Sequence, residues 1–432
     1  MWLRKVEFNQ VKCIEKLSID LGTDEERYKW VTLLGDNGTG KTTILQGLAL
    51  TLSGSNPIGL VEFEGALELR ELKYEYLKTQ VILDPIDEPN TSTPFLSRLI
   101  HFPQNRMSQI ILSEDEPLNI EYYGSTFIMP ADSPLPEQPN SWFAAGYGAF
   151  RHISKKPTLS TPELIEPNKR NNFLTLFQET ESLGGFHQWL ITLDYERLKN
   201  GLSEKAEQHY QLAVDALNAL LPEGTAFHSV DPKGIWYTIN GNKVSASHLS
   251  DGFRSIIALV GDLIWRLMHT YPDSEDPLKE TGVVLIDELD IHLHPKWQRQ
   301  IAGDLQRTFP NLQFIVTTHS PLVAAGAGKD AVTYQLELDE QGKTQIEQIE
   351  GIYAWNMDRI LKSEAFDLDS PYSEETSKAI ADYNFLKGLT ERTAKQEKEL
   401  EELLPIVKMA LADWGGTSAK KEKIKQLFKK KG

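Results

Sequence analysis

The stretch Trp30-Val31-Thr32-Leu33-Leu34-Gly35-Asp36-Asn37-Gly38-Thr39-Gly40-Lys41-Thr42-Thr43-Ile44-Leu45-Gln46-Gly47-Leu48-Ala49-Leu50 decides the fold. Its first five residues are apolar enough for a buried strand, which ends at Gly35. From Lys41 the pattern turns helical, with Leu45, Leu48 and Ala49 on one face. The glycines between let the backbone pass close to an anion and aim N–H groups at it, while the helix adds its positive N-terminal end. Strand, glycine loop and helix follow in the order of a P-loop, which predicts an α/β fold.

Read in that way, Gly35, Asp36, Asn37, Gly38, Thr39, Gly40, Lys41, Thr42 and Thr43 are the expected cradle for the phosphates of ATP. Lys41 reaches the β- and γ-phosphates, and Thr42 supplies a hydroxyl to Mg²⁺. A second half of the site lies in Val283-Val284-Leu285-Ile286-Asp287-Glu288, a buried strand with two carboxylates at its C-terminal end, where open α/β sheets bind ligands. Asp287 is suited to hold Mg²⁺, directly or through water, and Glu288 to polarise an attacking water as general base. A third strand, Phe314-Ile315-Val316-Thr317-Thr318, delivers His319, placed to contact the γ-phosphate. Upstream, His248-Leu249-Ser250-Asp251-Gly252-Phe253-Arg254-Ser255 precedes a helix with Ile256, Val260, Leu263, Ile264 and Leu267 on one apolar face. Ser250 reads either as a plain N-cap or, with Asp251 and Gly252, as a second anion site at a helix end.

Composition narrows the rest. The 432 residues are 40% hydrophobic and 25% charged, as in a globular protein with room for one large or two ordinary domains. No apolar run approaches the roughly 18 residues needed to span a bilayer, and the start lacks a signal-type apolar region, so a soluble cytoplasmic protein with no membrane partner is expected. The lone Cys13 excludes an internal disulfide and any zinc site built on paired cysteines. A formal net charge of -17 repels nucleic acid overall, so a DNA contact would need a local basic patch. The Lys-rich tail from Lys420 to Lys431 is one candidate, and a frayed, solvated terminus is its plainer reading.

Four segments are expected. Residues 1–153 form the N-terminal part of an ATPase head with the P-loop, opening on strands in which Val6 and Phe8, then Leu17, Ile19 and Leu21, alternate with polar residues. Short apolar runs from about 60 to 128, broken by turns such as Asp87-Glu88-Pro89-Asn90, add antiparallel strands, and Pro130 to Pro139 forms a loop. Residues 154–234 are a mainly helical insertion, beginning with a loop that carries Pro157, Pro162 and Pro167. Its best helix places Tyr210, Ala213, Val214, Leu217 and Leu220 at helical spacing. Residues 235–365 complete the head, and 366–432 form a helical C-terminal region with the basic tail. No heptad pattern supports a long coiled coil.

Leu249-Ser250-Asp251-Gly252 resembles the signature loop of ATP-binding-cassette (ABC) ATPases, and the chain resembles the RecF, SMC and OLD group of that superfamily more than transporter cassettes. Asp287-Glu288-Leu289-Asp290-Ile291-His292-Leu293-His294-Pro295 is similar to that group's catalytic strand and D-loop, and Thr317-Thr318-His319-Ser320-Pro321 to its switch-histidine segment. With Tyr147-Gly148-Ala149-Phe150-Arg151, these motifs resemble the compact PtuA-like ATPases of Septu and of certain retron anti-phage systems. The resemblance implies an ATPase that dimerises head to tail around two ATP molecules, as a homodimer or higher oligomer, and regulates a separate effector such as an HNH or Toprim nuclease. It also implies a glutamine that senses Mg²⁺, for which Gln104 and Gln109 lie in the right interval without a persuasive context, and adenine contacts to which Arg4, Asn9 or Gln10 could contribute.

Two other readings stand beside it. A RecF- or SMC-like clamp would grip DNA with an affinity that falls steeply with salt. Alternatively Asp287, Glu288, Asp290, His292 and His294 could bind a transition metal as a hydrolase cluster. In the C-terminal region, Ala379, Tyr383 and Leu386 fall at helical spacing, suited to core packing or to a partner contact.

Overall fold

A computed structural model describes residues 3–22, 28–53, 76–83, 95–101, 119–122, 125–128, 143–151, 167, 171–178, 185–199, 204–231, 234–355, 357–361, 363 and 372–412. Asp87 to Asn90, Gln104, Gln109, the loop from Pro130 to Pro139, Pro157, Pro162 and the tail from Lys420 to Lys431 lie outside the described residues, as do the side chains of Arg4, Asn9 and Gln10. The chain divides into two units, Met1–Trp355 and Asn356–Gly432.

The first unit is organised by a six-stranded sheet in the order β15-β14-β3-β13-β12-β8. Five of its strands are parallel: β3 (Trp30–Gly35), β8 (Phe143–Tyr147), β12 (Gly282–Ile286), β13 (Leu312–Thr317) and β14 (Ala331–Leu338). Strand β15 (Thr344–Ile349) closes one edge antiparallel to β14. The central strands are apolar almost throughout because a parallel sheet is covered on both faces.

Alternate residues serve opposite faces, as the two-residue strand repeat requires. Val284, Ile286, Phe314 and Val316 enter one core with α4 (Asp251–Thr270), α5 (Pro295–Thr308) and the helices α2 (Gly185–Lys199) and α3 (Glu204–Leu220). Val283, Leu285 and Ile315 enter the other with α1 (Lys41–Leu52) and the inward residues of β1 (Leu3–Val11) and β2 (Ile14–Asp20). The helix α3 buries Tyr210, Ala213, Leu217 and Leu220 at the expected spacing, with Val214 at the margin.

Strands β1 and β2 belong to an antiparallel sheet, order β2-β1-β4-β5-β7-β6, with β4 (Tyr76–Leu83), β5 (Phe95–His101), β6 (Asn119–Tyr122) and β7 (Ser125–Ile128). Gln313, fully buried on β13, joins the two sheets: its Oε1 accepts from Leu3 N at 2.7 Å and its Nε2 donates to the carbonyls of Leu3, Leu21 and Tyr28. A third sheet, β11-β10-β9, comprises Thr225–Asp231 (β9), Gly234–Ile239 (β10) and Asn242–Ser245 (β11), and leads directly into the segment before Ser250.

In the second unit, α8 (Glu374–Gly388) and α9 (Ala394–Ala412) pack as a hairpin. Ser373 caps the first helix by accepting from Thr376 N, the usual N-cap geometry. Ala379, Tyr383 and Leu386 are buried, whereas Phe385, Ile406 and Met409 are exposed.

Phe314 sits at the centre of the parallel sheet, its ring 5.3 Å from that of Trp30 on the neighbouring strand. Phe314→Ala is expected to destabilise the protein by about 3–5 kcal/mol, because the site is packed on both sides and closes poorly over a cavity. Urea denaturation followed by circular dichroism measures the change.

Candidate functional site

The parallel register brings the C-terminal ends of β3, β12, β13 and β8 to one edge of the sheet: Ile286 lies opposite both Val316 and Tyr147, and Val316 opposite Thr32. The glycine loop with Lys41, Thr42 and Thr43 follows β3, Asp287 and Glu288 follow β12, and His319 follows β13, whereas Ser250 to Gly252 lie elsewhere in the chain. Gly35, Gly38 and Gly40 all have positive φ, at 149°, 83° and 97°. A side chain at Gly35 would meet the Leu336 carbonyl 2.4 Å away, so the strand-to-loop exit requires glycine. Asp36, Asn37 and Gly38 are exposed, and Thr39 folds back with its Oγ1 donating to the Asp36 carbonyl at 2.9 Å. Helix α1 starts after Gly40, which has no side chain to cap its first amides, and so presents them to an anion. Thr43 is buried in the first turn.

Lys41 is 6% exposed, and its Nζ donates to the carbonyls of Gly35 at 2.7 Å and Asp36 at 2.8 Å. Burial lowers its pKa from the ordinary lysine range, opposed by the charges of Asp287, Glu288, Asp36 and Asp290. Thr42 is exposed, and its Oγ1 donates to Asp287 Oδ2 at 2.8 Å. Asp287, buried, also accepts from Thr317 Oγ1 through Oδ1. A hydroxyl and a carboxylate in contact beside a lysine make a set of hard oxygen donors that fits Mg²⁺ shared with phosphate.

Glu288 follows at a backbone φ of 45°, left-handed for a residue with a side chain, at a cost of about 1–3 kcal/mol. Its N–H donates to Thr317 Oγ1 at 2.7 Å, and its carboxylate lies 4.0 Å from His319 Nε2. Both side chains are about one-third exposed, at 30% and 35%, so this edge of the site meets solvent. The switch segment is tied to the D-loop by Asp290, whose Oδ1 accepts from Thr318 Oγ1 and from His319 N at 3.2 Å. Gln298 extends the network, donating to the carbonyls of Asp290 and Leu293 and accepting from Ser320 Oγ. Among the described residues no three or more His, Cys, Asp or Glu side chains form a group able to hold a metal ion, and within the acidic and histidine cluster His292 and His294 are exposed.

Ser250 occupies the N-cap position of α4 in an extended conformation without a side-chain cap hydrogen bond, and it is exposed. Asp251, also exposed, pairs with Arg254. Gly252 is buried against the D-loop: a Cβ there would lie 2.2 Å from the His292 carbonyl. The segments around Gly252 and His292 are therefore in close backbone contact.

Four residues make contacts that the sequence reading did not anticipate. Arg151, 4% exposed beyond the end of β8, donates through Nη1 to the carbonyls of Gly148 at 2.9 Å and Asp287 at 2.6 Å, through Nη2 to that of Glu288 at 2.9 Å, and through Nε to Ser255 Oγ at 3.2 Å. Burial pulls its pKa down to about 10, against the opposing charges of Asp287, Asp290 and Glu288, so it stays a cation at neutral pH. Thr317 joins the Asp287 carboxylate to the Glu288 amide. Cys13 and Thr344 brace the glycine loop: Thr344 Oγ1 donates to the Thr39 carbonyl at 3.0 Å and lies 3.2 Å from Cys13 Sγ.

A family model described as "AAA domain, putative AbiEii toxin, Type IV TA system" matches residues 199–325, from before α3 to near the end of α6 (Pro321–Gly326), and so takes in Ser250 to Gly252, the Asp-Glu strand and His319. The Septu protein PtuA of Bacillus mycoides (strain KBAB4) is 24% identical over 424 residues, 98% of this chain and 52% of that protein. A "Retron Vc95 probable ATPase" of Vibrio cholerae serotype O1 biovar El Tor is 37% identical over 162 residues, 38% of this chain and 32% of that protein. The chain thus spans about half the length, or less, of these two relatives. Among solved structures, an SMC head bound to the C-winged helix domain of ScpA aligns with a TM-score of 0.47 at 15% identity, over 82% of this chain and 100% of that one.

The contact between Gly252 and His292 is testable. Gly252→Ala is expected to destabilise the protein by about 1–3 kcal/mol, since the obstructing atom is backbone and cannot swing away. Gly303→Ala, inside α5 with only the end of the Arg307 side chain nearby at 3.2 Å, is the control and should be neutral or slightly stabilising. Thermal unfolding by circular dichroism compares the two.

Proposed function

We propose that this chain, an ABC-type P-loop protein by its fold and the order of its motifs and similar to PtuA and retron ATPases, binds ATP with Mg²⁺, hydrolyses it, and uses the cycle to regulate an effector in bacterial anti-phage defence. The observation that carries the reading is the meeting of Thr42 Oγ1 and Asp287 Oδ2 at 2.8 Å, with Lys41, Glu288 and His319 around it. Two sequence segments suited to ATP chemistry on separate grounds form one site.

In this mechanism the first turn of α1 and Lys41 bind and orient the phosphates, Lys41 leaving the carbonyls of Gly35 and Asp36 for phosphate oxygens. Thr42 and Asp287 would hold Mg²⁺, which would offset the charge of the transferring group. Glu288 takes the proton of the attacking water as general base. Its carboxylate is free to do so because its backbone, rather than its side chain, makes the contacts that hold the turn. His319, placed by the Asp290 bond to its amide, orients toward the γ-phosphate.

Ser250 and Asp251 stand exposed at the start of a 20-residue helix, which suits a phosphate bound to a second copy. The proposed assembly is a head-to-tail homodimer with two ATP molecules at the interface, able to enter a higher oligomer. ATP closes it and hydrolysis opens it, a two-state change available to a partner. The similarity to Septu and retron proteins supports a defence role, with a separate HNH or Toprim nuclease as the effector. Action in the cytoplasm is part of the proposal; among the described residues no helix is long and apolar enough to cross a membrane.

Glu288→Gln should lower ATP turnover by roughly 10²–10⁴-fold while preserving ATP binding. It should also trap an ATP-dependent dimer visible by light scattering. A variant that stays monomeric at saturating ATP rejects the sandwich, and a variant with wild-type turnover rejects Glu288 as the base. Lys41→Ala should lose ATP binding, measured with a fluorescent analogue.

A further inference from the structure

Arg151 is a buried cation whose hydrogen bonds to Gly148, Asp287, Glu288 and Ser255 all end on uncharged groups. As packing alone this is a poor solution, because the cost of desolvating the guanidinium is not offset by a carboxylate in contact with it. Its partners are more informative than its burial. Successive carbonyls of an extended strand point to opposite sides, so one guanidinium cannot ordinarily take two in a row. Here it does, because Glu288 is left-handed at φ 45° and turns its carbonyl to the same side as that of Asp287. The Glu288 amide is meanwhile held from another strand by Thr317 Oγ1. The unusual backbone of the proposed base is thus fixed at both ends, and Arg151 supplies one of them.

The fourth contact leads elsewhere. Ser255 lies on α4 five residues beyond Ser250, just over one helical turn. We infer that Arg151 is a positioning residue that fixes the turn at Glu288 and ties it to the signature helix through Ser255, so that the base of one site and the signature loop of the same chain move together. The inference rests on the ATPase reading for its functional meaning. It assigns to one side chain the link by which a signature loop engaged at one site reports to the base at the other. The packing of Gly252 on the His292 carbonyl provides a second, parallel tie between the same two loops.

The test uses the full chain and the variants Arg151→Ala, Arg151→Lys and Ser255→Ala. In Arg151→Ala, ATP affinity should change little while turnover falls roughly 10- to 100-fold, the range for residues that orient reacting groups. Guanidinium chloride at millimolar concentration should restore part of that turnover, and tetramethylammonium chloride at equal ionic strength should not. Ser255→Ala should cost less, and its effect should shrink in the Arg151→Ala background, as for two groups in one network. Wild-type turnover in Arg151→Ala, or a loss that follows unfolded protein and ignores guanidinium, overturns the inference. If Arg151→Ala does not fold, Arg151→Lys decides: it keeps the charge without the fork, so full turnover there is equally fatal. Amide hydrogen exchange separates this inference from the ATPase reading. Loss of Arg151 should speed exchange at Glu288 and Leu289 together with the start of α4, whether or not ATP is hydrolysed, and unchanged exchange there sinks the link. Absence of turnover in the wild-type chain, with exchange coupled as expected, sinks the ATPase reading alone.

Discussion

The hydrogen bond between Thr42 and Asp287 joins residues 245 positions apart, and the candidate site depends on it. Neither residue could reach the other without the parallel register of the central sheet, which sets the end of β3 and the end of β12 on either side of β13. A slip of one residue in either strand would reverse which side chains face each core. Val283 and Val284 would exchange environments, and both layers of packing would be lost. The register is thus held by the hydrophobic cores on both faces, and the polar contact at the sheet edge follows from them. Function at this edge is a by-product of packing several residues away.

Charge at the site is arranged around two buried cations. Lys41 and Arg151 are drawn out of water by the fold, which lowers the pKa of each, and the carboxylates of Asp287, Glu288 and Asp290 oppose that shift in both. The two differ in how they are held. Lys41 rests on two loop carbonyls through a flexible stem and a point charge, an arrangement that can exchange partners. Arg151 is fixed through a planar fork to four groups from three parts of the chain, an arrangement that resists exchange. One is built to meet a ligand and the other to hold the frame that meets it.

The parts of this architecture written in local pattern were legible. An apolar run, three glycines and a lysine before a helix leave few alternatives, and Val283 to Glu288 carries its own ending. The spacing of Ile256, Val260, Leu263, Ile264 and Leu267 likewise placed α4, although the structure buries every residue from Ser255 to Met268 rather than one face. What could not be read is whatever depends on which strands become neighbours. Arg151 ends a segment quoted for the resemblance, Tyr147 to Arg151, but nothing in that segment names its acceptors. Only the pairing of β8 with β12 brings it under Asp287. Thr317 was quoted as part of a motif, but its bridging role needs the left-handed turn at Glu288, for which no glycine or asparagine gives warning. Thr344 is further from view, since nothing near it suggests a phosphate loop.

That last residue has a bearing on how the molecule is made. The glycine loop occupies positions 35 to 42, yet its brace at Thr344 and its flanking strands β13 and β14 come about 300 residues later. At roughly 5–20 residues per second, a ribosome takes about 15–60 s to reach them after the loop has been synthesised. Through that interval the apolar strand Trp30–Gly35 has no parallel neighbour and must be shielded by the early antiparallel strands or by chaperones. The glycine loop is translated long before its brace, so a chain that stops short of Thr344 carries the motif without its support.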